Sequence, residues 1–234
     1  MKYDHTIPAL FIERPNRFIA YAKVNDKSVV CHVKNTGRCK ELLLPGTSVI
    51  LQHHPDAAKT KRKTEYSLIG VYKKTSSGVC LINMDSQAPN EAAWEWLKSS
   101  ATSLNITNLC REVRFGSSRF DLAFHQKGRP VFMEVKGVTL EENGIARFPD
   151  APTLRSVKHL QELEEAVKEG YACCLLFVIA MKGIRYFEPN QTTHPEFGEA
   201  LAHAAAHGVS LLARDCIVTP NTLTIDAPIP IRLP

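Results

Sequence analysis

RFDLAFHQKGRPVFMEVK, residues 119–136, alternates apolar and polar positions on either side of Lys127-Gly128 and is predicted to form a β-hairpin. With the turn at those two residues, Asp121 stands opposite Glu134 and Arg119 opposite Lys136, and strand alternation sends all four side chains to one side of the pleat. The other side collects Phe120, Leu122 and Phe124 against Val131, Met133 and Val135, an apolar face that anchors the hairpin in a core. Directly opposed carboxylates lie on the order of 5 Å apart at Cβ, so they repel in an empty site and suit a shared divalent cation. A cross-strand network, Asp121 diagonal to Lys136 and Glu134 to Arg119, satisfies the same residues with no metal.

Before the hairpin, from Thr6 to about Met84, short alternating segments predict five strands: FIAYAKV (18–24), SVVCHVK (28–34), TSVILQH (47–53), YSLIGVYK (66–73) and GVCLINM (78–84). Asn25-Asp26, Pro45-Gly46 and Ser76-Ser77-Gly78 punctuate them. Five short strands fit a small barrel of the OB type, a fold that often binds nucleic acid on one face, although another small antiparallel barrel or sandwich gives similar text. Basic residues concentrate here, at Arg14, Arg17, Lys34, Arg38, Lys40 and the run Lys59-Thr60-Lys61-Arg62-Lys63, with Tyr21, Tyr66 and Tyr72 interspersed. Such a set suits phosphate binding and base stacking, while a solvated loop is the simpler account of any single cluster. Asn35-Thr36-Gly37-Arg38 is a glycine turn bearing an arginine.

The polar run Ser86 to Asn90 divides the chain into domains at 1–85 and 86–234. Beyond it, Ala92, Ala93, Trp96 and Leu97 form a helical stripe, and REVRFG (111–116) is a strand leading into the hairpin. Val138 to Pro152 is expected to be a polar loop containing Asp150. Leu154, Val157, Leu160, Leu163 and Val167 then mark a helix from the N-cap Thr153 to Gly170, whose other face offers Arg155 and Lys158 to a phosphate backbone. YACCLLFVIA (171–180) is apolar without alternation, as a strand covered on both sides should be. A helix over 196–207, the strand VSLLA and a proline-rich tail follow. The order implies an αβββαβ unit with a mixed sheet, so the fold class is two-domain α/β. Glu112, one strand before the hairpin, is a further candidate carboxylate.

Composition limits the alternatives. The chain has 234 residues, 44% hydrophobic and 23% charged, which is ordinary for a globular protein, and its net charge of +5 permits an anionic partner without requiring one. Seven cysteines without a CxxC pair make no disulfide framework, and no run approaches the roughly 18 apolar residues of a membrane span, so a reducing cytoplasm is the expected setting, away from membranes. Glu199, His203 and His207 recur at four-residue spacing and offer zinc ligands from one helical face; with no fourth ligand apparent, a solvated stripe is the simpler reading. GxSxG, Walker A and GxGxxG patterns are absent from the sequence. Assembly as a homodimer is left open.

Asp121, Glu134, Val135 and Lys136 spell D-x12-E-V-K, which resembles the PD-(D/E)xK nuclease signature, with Phe120 where that signature has proline. The resemblance implies Mg2+ or Mn2+ held by Asp121, Glu134 and the Val135 carbonyl, and a catalytic set of Asp121, Glu134 and Lys136. Lys136, beside two carboxylates, suits orienting water or stabilising the phosphate better than acting as a base. More broadly, RPNRF (14–18), HVKNTGRCKELLLPG (32–46), TKRKTEY (60–66), EVRFGSSRFDLAF (112–124), MEVKGVTLEEN (133–143) and FPDAPTLRSVKHLQEL (148–163) resemble the sugar fermentation stimulation protein A (SfsA) family over nearly the whole chain. That resemblance implies an OB domain joined to a PD-(D/E)xK nuclease-like domain, DNA binding, and an association with regulating sugar catabolism, especially of maltose. It also marks Asn35, Gly37 and Arg38 as a functional loop, with Asp150 and Arg155 in the segment that closes over the metal site. Two classes of function follow: a metal-dependent nuclease, and a DNA-binding regulator without chemistry. RNA or a nucleotide stays open as the ligand.

Overall fold

Turn chemistry sets the N-terminal half. Asn25 and Asp26 both take positive φ, 46° and 63°, which two-residue hairpins favour because it matches the twist of the flanking strands. The computed structural model describes residues 1–35, 37–75, 78–116 and 118–234; Thr36 of the glycine turn and Ser76-Ser77 of the third expected turn lie outside the described residues. Strands β1 (Thr6–Glu13), β2 (Ile19–Val24), β3 (Lys27–Val33), β4 (Ser48–His53), β5 (Tyr66–Thr75) and β6 (Gly78–Asn83) form one sheet in the order β3-β2-β1-β4-β5-β6. A parallel pairing of β3 with β5 closes the first five into the OB barrel. The expected strand count was right but its membership was not. TIPALFIE is a barrel strand, whereas GVCLINM extends the sheet beyond the barrel as β6. TIPALFIE escapes a periodicity reading because it buries only Ala9 and Phe11 and carries Pro8.

The C-terminal half contains α1 (Ala88–Ser99), the single turn α2 (Ala101–Leu104), β7 (Ile106–Phe115), β8 (Ser118–Gln126), β9 (Arg129–Val138), β10 (Leu140–Glu142), β11 (Ile145–Phe148) and α3 (Leu154–Lys168). It ends with β12 (Ala172–Ile179), β13 (Tyr186–Pro189), α4 (Pro195–Ala206), β14 (Val209–Thr219) and β15 (Thr222–Pro228). The main sheet runs β15-β14-β12-β9-β8-β7, with β12 parallel to β9 and β14 and the outer pairs antiparallel. This is the mixed sheet expected. Two loops in the sequence reading are strands instead: β10 and β11 form a hairpin within 138–152 that joins β13 in a second sheet, and the proline-rich tail contains β15. β10 and β11 are too short, at three and four residues, to register as periodic text, whereas β15 does alternate, burying Leu223 and Ile225 between polar residues, and is masked by the prolines on either side of it.

The central hairpin keeps its expected register, from Leu122 opposite Met133 to Gln126 opposite Arg129, around Lys127 and Gly128 at φ 51° and 80°. Its apolar face is one residue smaller than expected. Leu122, Phe124, Val131, Met133 and Val135 share a cluster with α1, but Phe120 belongs to the opposite cluster and packs on Phe132 at 4.9 Å between ring centroids. The ladder between β8 and β9 ends at Leu122, and Arg119 pairs with Arg114 of β7 rather than with Lys136.

β12 explains its own sequence. Cys173, Leu175, Phe177 and Ile179 point into the cluster that continues into the barrel core, while Cys174, Leu176 and Val178 point into the α1 cluster. All seven cysteines are free, and burial pushes the thiols of Cys31, Cys39, Cys173, Cys174 and Cys216 up to about 12. On α3, Thr153 Oγ1 accepts from the Ser156 amide at 3.3 Å, and Gly170 follows the last turn at φ 96°. Of the expected apolar stripe, Leu154 is 83% exposed, while Leu160 and Leu163 are buried and Val157 and Val167 pack on the core; Ser156, His159, Glu162 and Ala166 are also buried. Among the described residues no helix is long and apolar enough to cross a membrane.

Candidate functional site

Where the β8–β9 ladder stops, Asp121 turns to the backbone of the neighbouring strand. Its Oδ2 accepts from the Val135 amide at 2.8 Å, and its Oδ1 accepts from Asn90 Nδ2, in the first turn of α1, at 2.8 Å. Each carboxylate oxygen thus keeps a lone pair free. Glu134 is 2% exposed. Its Oε1 accepts from Lys136 Nζ at 2.7 Å and contacts His159 Nδ1, whereas its Oε2 is buried and has no hydrogen-bond partner among the described residues.

The hydrogen bonds decide the His159 tautomer. An ionised carboxylate only accepts, so Nδ1 carries the hydrogen, and Nε2 presents its lone pair to Arg155 Nε at 3.3 Å. Lys136 Nζ lies 3.3 Å from Nδ1, held there by its bond to Glu134. Burial raises the Asp121 carboxyl to about 6, helped by the Glu134 charge and opposed by the Val135 amide, Lys136 and Asn90. Burial pushes Glu134 up as well, but the His159 bond and the Lys136 charge outweigh it and leave Glu134 below the usual glutamate range. Asp121 thus resists ionisation beside a Glu134 that is held ionised.

The other expected residues divide into near and far. Arg155 sits at the rim through His159, whereas Lys158 pairs with Glu162 Oε1 at 3.3 Å. Glu112 pairs with Arg119 at 3.1 Å, outside the acidic pair. Arg14 is a structural staple: its guanidinium donates to the carbonyls of Gly37, Arg38, Arg17 and Asn35 at 2.7–3.0 Å, pinning the glycine loop. A Cβ at Gly37 would fall 2.1 Å from Asp150 Oδ2, so that loop abuts the segment ahead of α3. Asn35, Gly37, Asp85, Pro89, Gly137 and Asp150 line a cleft of about 180 Å³ between the barrel and the main sheet. Arg17, Arg38, Lys61, Arg62 and Lys63 are exposed on the barrel, while Tyr21, Tyr66 and Tyr72 are half-buried; the exposed aromatic beside a cation is Phe18, 5.8 Å from the Arg17 guanidinium.

Asn90 and His159 escaped the sequence reading. For His159 a signal existed: with Glu162 it is a polar residue flanking the core positions Leu160 and Leu163, one turn after Arg155. Asn90 had none, since its role depends on how α1 meets β9. That contact is tight, because a Cβ at Gly137 would lie 2.6 Å from Pro89 Cγ. Gly137→Ala is expected to push the start of α1, and Asn90 with it, away from Asp121, at a cost of about 1–3 kcal/mol in urea unfolding. Unchanged stability would show that this approach is not tight.

Two family models match the chain: the SfsA N-terminal OB domain over residues 12–82 and the sugar fermentation stimulation protein RE domain over residues 87–222. The chain belongs to the sugar fermentation stimulation protein family. Relatives in that family named sugar fermentation stimulation protein homolog include one from Clostridium beijerinckii, 48% identical over 225 residues and 96% of each chain. Another, from Ruminiclostridium cellulolyticum, is 48% identical over 233 residues and 100% of each chain. Among solved structures, Pyrococcus furiosus SfsA in complex with Ca2+ superposes with a TM-score of 0.86 at 22% identity, covering 100% of this chain and 98% of that one, which establishes the shared SfsA fold.

Proposed function

We propose that this SfsA-family protein binds nucleic acid across its barrel and cleaves a phosphodiester at Asp121, Glu134 and Lys136 with a divalent cation, Mg2+ or Mn2+. The observation that carries this reading is Glu134 Oε2, a buried charged oxygen without a hydrogen-bond partner among the described residues, beside a second carboxylate whose ionisation it opposes. An uncompensated buried carboxylate oxygen is costly, and a hard cation relieves the cost. Asp121, Glu134 Oε2 and the Val135 carbonyl are the ligands, an all-oxygen set of the kind such cations prefer. That the Pyrococcus furiosus relative was solved with Ca2+ supports a divalent ion in this family. Bound there, the ion would offset charge on the phosphate and acidify a water.

The chain's own residues supply the rest. Lys136, fixed by Glu134 and only 13% exposed at its side chain, places a positive charge where the phosphate's negative charge builds. His159 and Asn90 each hold one carboxylate in position, and Arg155 extends the positive rim toward the strand. The exposed Arg17, Arg38, Lys61 and Lys63 offer the barrel face to the backbone of DNA, with RNA as a second substrate class.

The test is a cleavage assay on single-stranded, duplex and branched DNA and on RNA, with Mg2+, Mn2+ or EDTA. Metal-dependent cutting is expected on at least one substrate. Binding without cutting under every metal condition would leave a DNA-binding regulator. Lys61→Glu/Lys63→Glu is expected to weaken binding and to reduce the slope of log affinity against log salt by about 2. An unchanged slope would remove that loop from the footprint.

A further inference from the structure

We propose a second metal site, for Zn2+, built from Glu164, His203 and His207 where α3 packs against α4. His203 and His207 stand one turn apart at the C-terminal end of α4, with ring centroids 4.0 Å apart. Glu164 reaches them from α3, its side chain only 11% exposed, and its Oε1 lies 3.0 Å from His203 Nδ1. One ligand atom from each of the three falls within 4.8 Å of the others. Zn–N and Zn–O bonds near 2.0–2.1 Å place tetrahedral ligands about 3.3 Å apart, so small rotations of the two exposed rings close the set.

Two further features favour a metal over a plain helix–helix ion pair. His207 Nδ1 donates to the His203 carbonyl at 2.8 Å, and a carbonyl only accepts, so the Nε2 lone pair is directed away and free to ligate. This is the outer-shell bond that orients metal-binding imidazoles. The site also lies at the C-terminal end of α4, where the helix dipole presents negative partial charge. The sequence offered Glu199 as the third member of this stripe; the structure brings in Glu164 from the neighbouring helix instead. Two imidazoles and a carboxylate select zinc over Mg2+ or Ca2+, so this site differs in metal preference from the all-oxygen pair at Asp121 and Glu134. Three protein ligands leave the fourth position to water. The bound ion would clamp α4 to the helix that carries His159.

The test is calorimetric titration of Zn2+ into the full chain in an Asp121→Asn background, which silences the acidic pair. A parallel Co2+ titration reads visible absorption bands, and thermal melts are run with and without Zn2+. One Zn2+ per chain, tetrahedral Co2+ bands and a rise in Tm are expected. Loss of even an outer-shell partner weakens metal sites about 10–100-fold, so His203→Ala/His207→Ala should weaken binding at least that much and abolish the bands and the Tm rise. Both histidines are exposed, so that variant keeps its fold, which circular dichroism verifies. Glu164→Gln should weaken Zn2+ while preserving the helix contact. Zn2+ affinity unchanged in the histidine variant, or no binding at micromolar Zn2+ in the parent, overturns the site.

Discussion

Glu134→Gln is expected to lower metal-dependent phosphodiester cleavage by about 10³-fold, because a bound divalent ion contributes several kcal/mol of charge stabilisation and each 1.36 kcal/mol is tenfold in rate. The substitution is nearly isosteric but removes the charge from the buried Oε2 and the ionised partner from Lys136 and His159. The loss should fall on kcat, with nucleic-acid affinity nearly unchanged, since the exposed cations of the barrel are untouched. Addition of more metal should recover little, because a neutral amide at this position cannot supply the anionic oxygen ligand that Oε2 provides. A variant that cuts at the parental rate would place the chemistry elsewhere.

Asp121→Asn is expected to abolish divalent-cation binding and yet raise the stability of the metal-free protein above pH 6. In the folded chain the Asp121 carboxyl titrates near 6, above its ordinary 3.8, because it is buried and faces the Glu134 charge. The folded state therefore binds this proton more tightly than the unfolded state. Stability falls as pH rises from about 4 to about 6 and is level beyond. An amide at this position does not ionise and escapes that loss. Its oxygen still accepts from the Val135 amide, and its NH2 meets Asn90 once the Asn90 amide flips. The gain should be near zero at pH 4 and reach on the order of 3 kcal/mol at pH 8, the equivalent of the shift from 3.8 to about 6. Urea unfolding in EDTA across that range measures it. A variant less stable than the parent at every pH would mean that Asp121 is held by compensating partners and is not the strained half of a cation pair.

The hairpin register was legible because one glycine turn and two alternating strands leave a single pairing that buries one face. The helix boundaries at Thr153 and Gly170 were legible for the same reason, as local signals with one physical solution, whereas the barrel was legible only as a class, since five short alternating strands also suit other small antiparallel folds. Phe120 was not, since its direction is set by the end of the β8–β9 ladder at Leu122, a property of the sheet rather than of the strand. The acidic pair was visible, but its supports were not. Asn90 comes from a helix 31 positions before Asp121 and His159 from one 25 positions after Glu134, and each reaches its carboxylate only through packing. Arg14 shows the reverse limit, because a basic residue that looks free for phosphate is engaged by four carbonyls of its own chain.

The most direct test of a cation-binding pair at the end of this hairpin is calorimetric titration of Mn2+ at pH 7.5 into the parent chain and into Asp121→Asn/Glu134→Gln. Mn2+ binding by the parent, lost in the double variant, and weaker in the parent at pH 5 as Asp121 protonates, is the expected result. Undiminished Mn2+ binding by the double variant would contradict it.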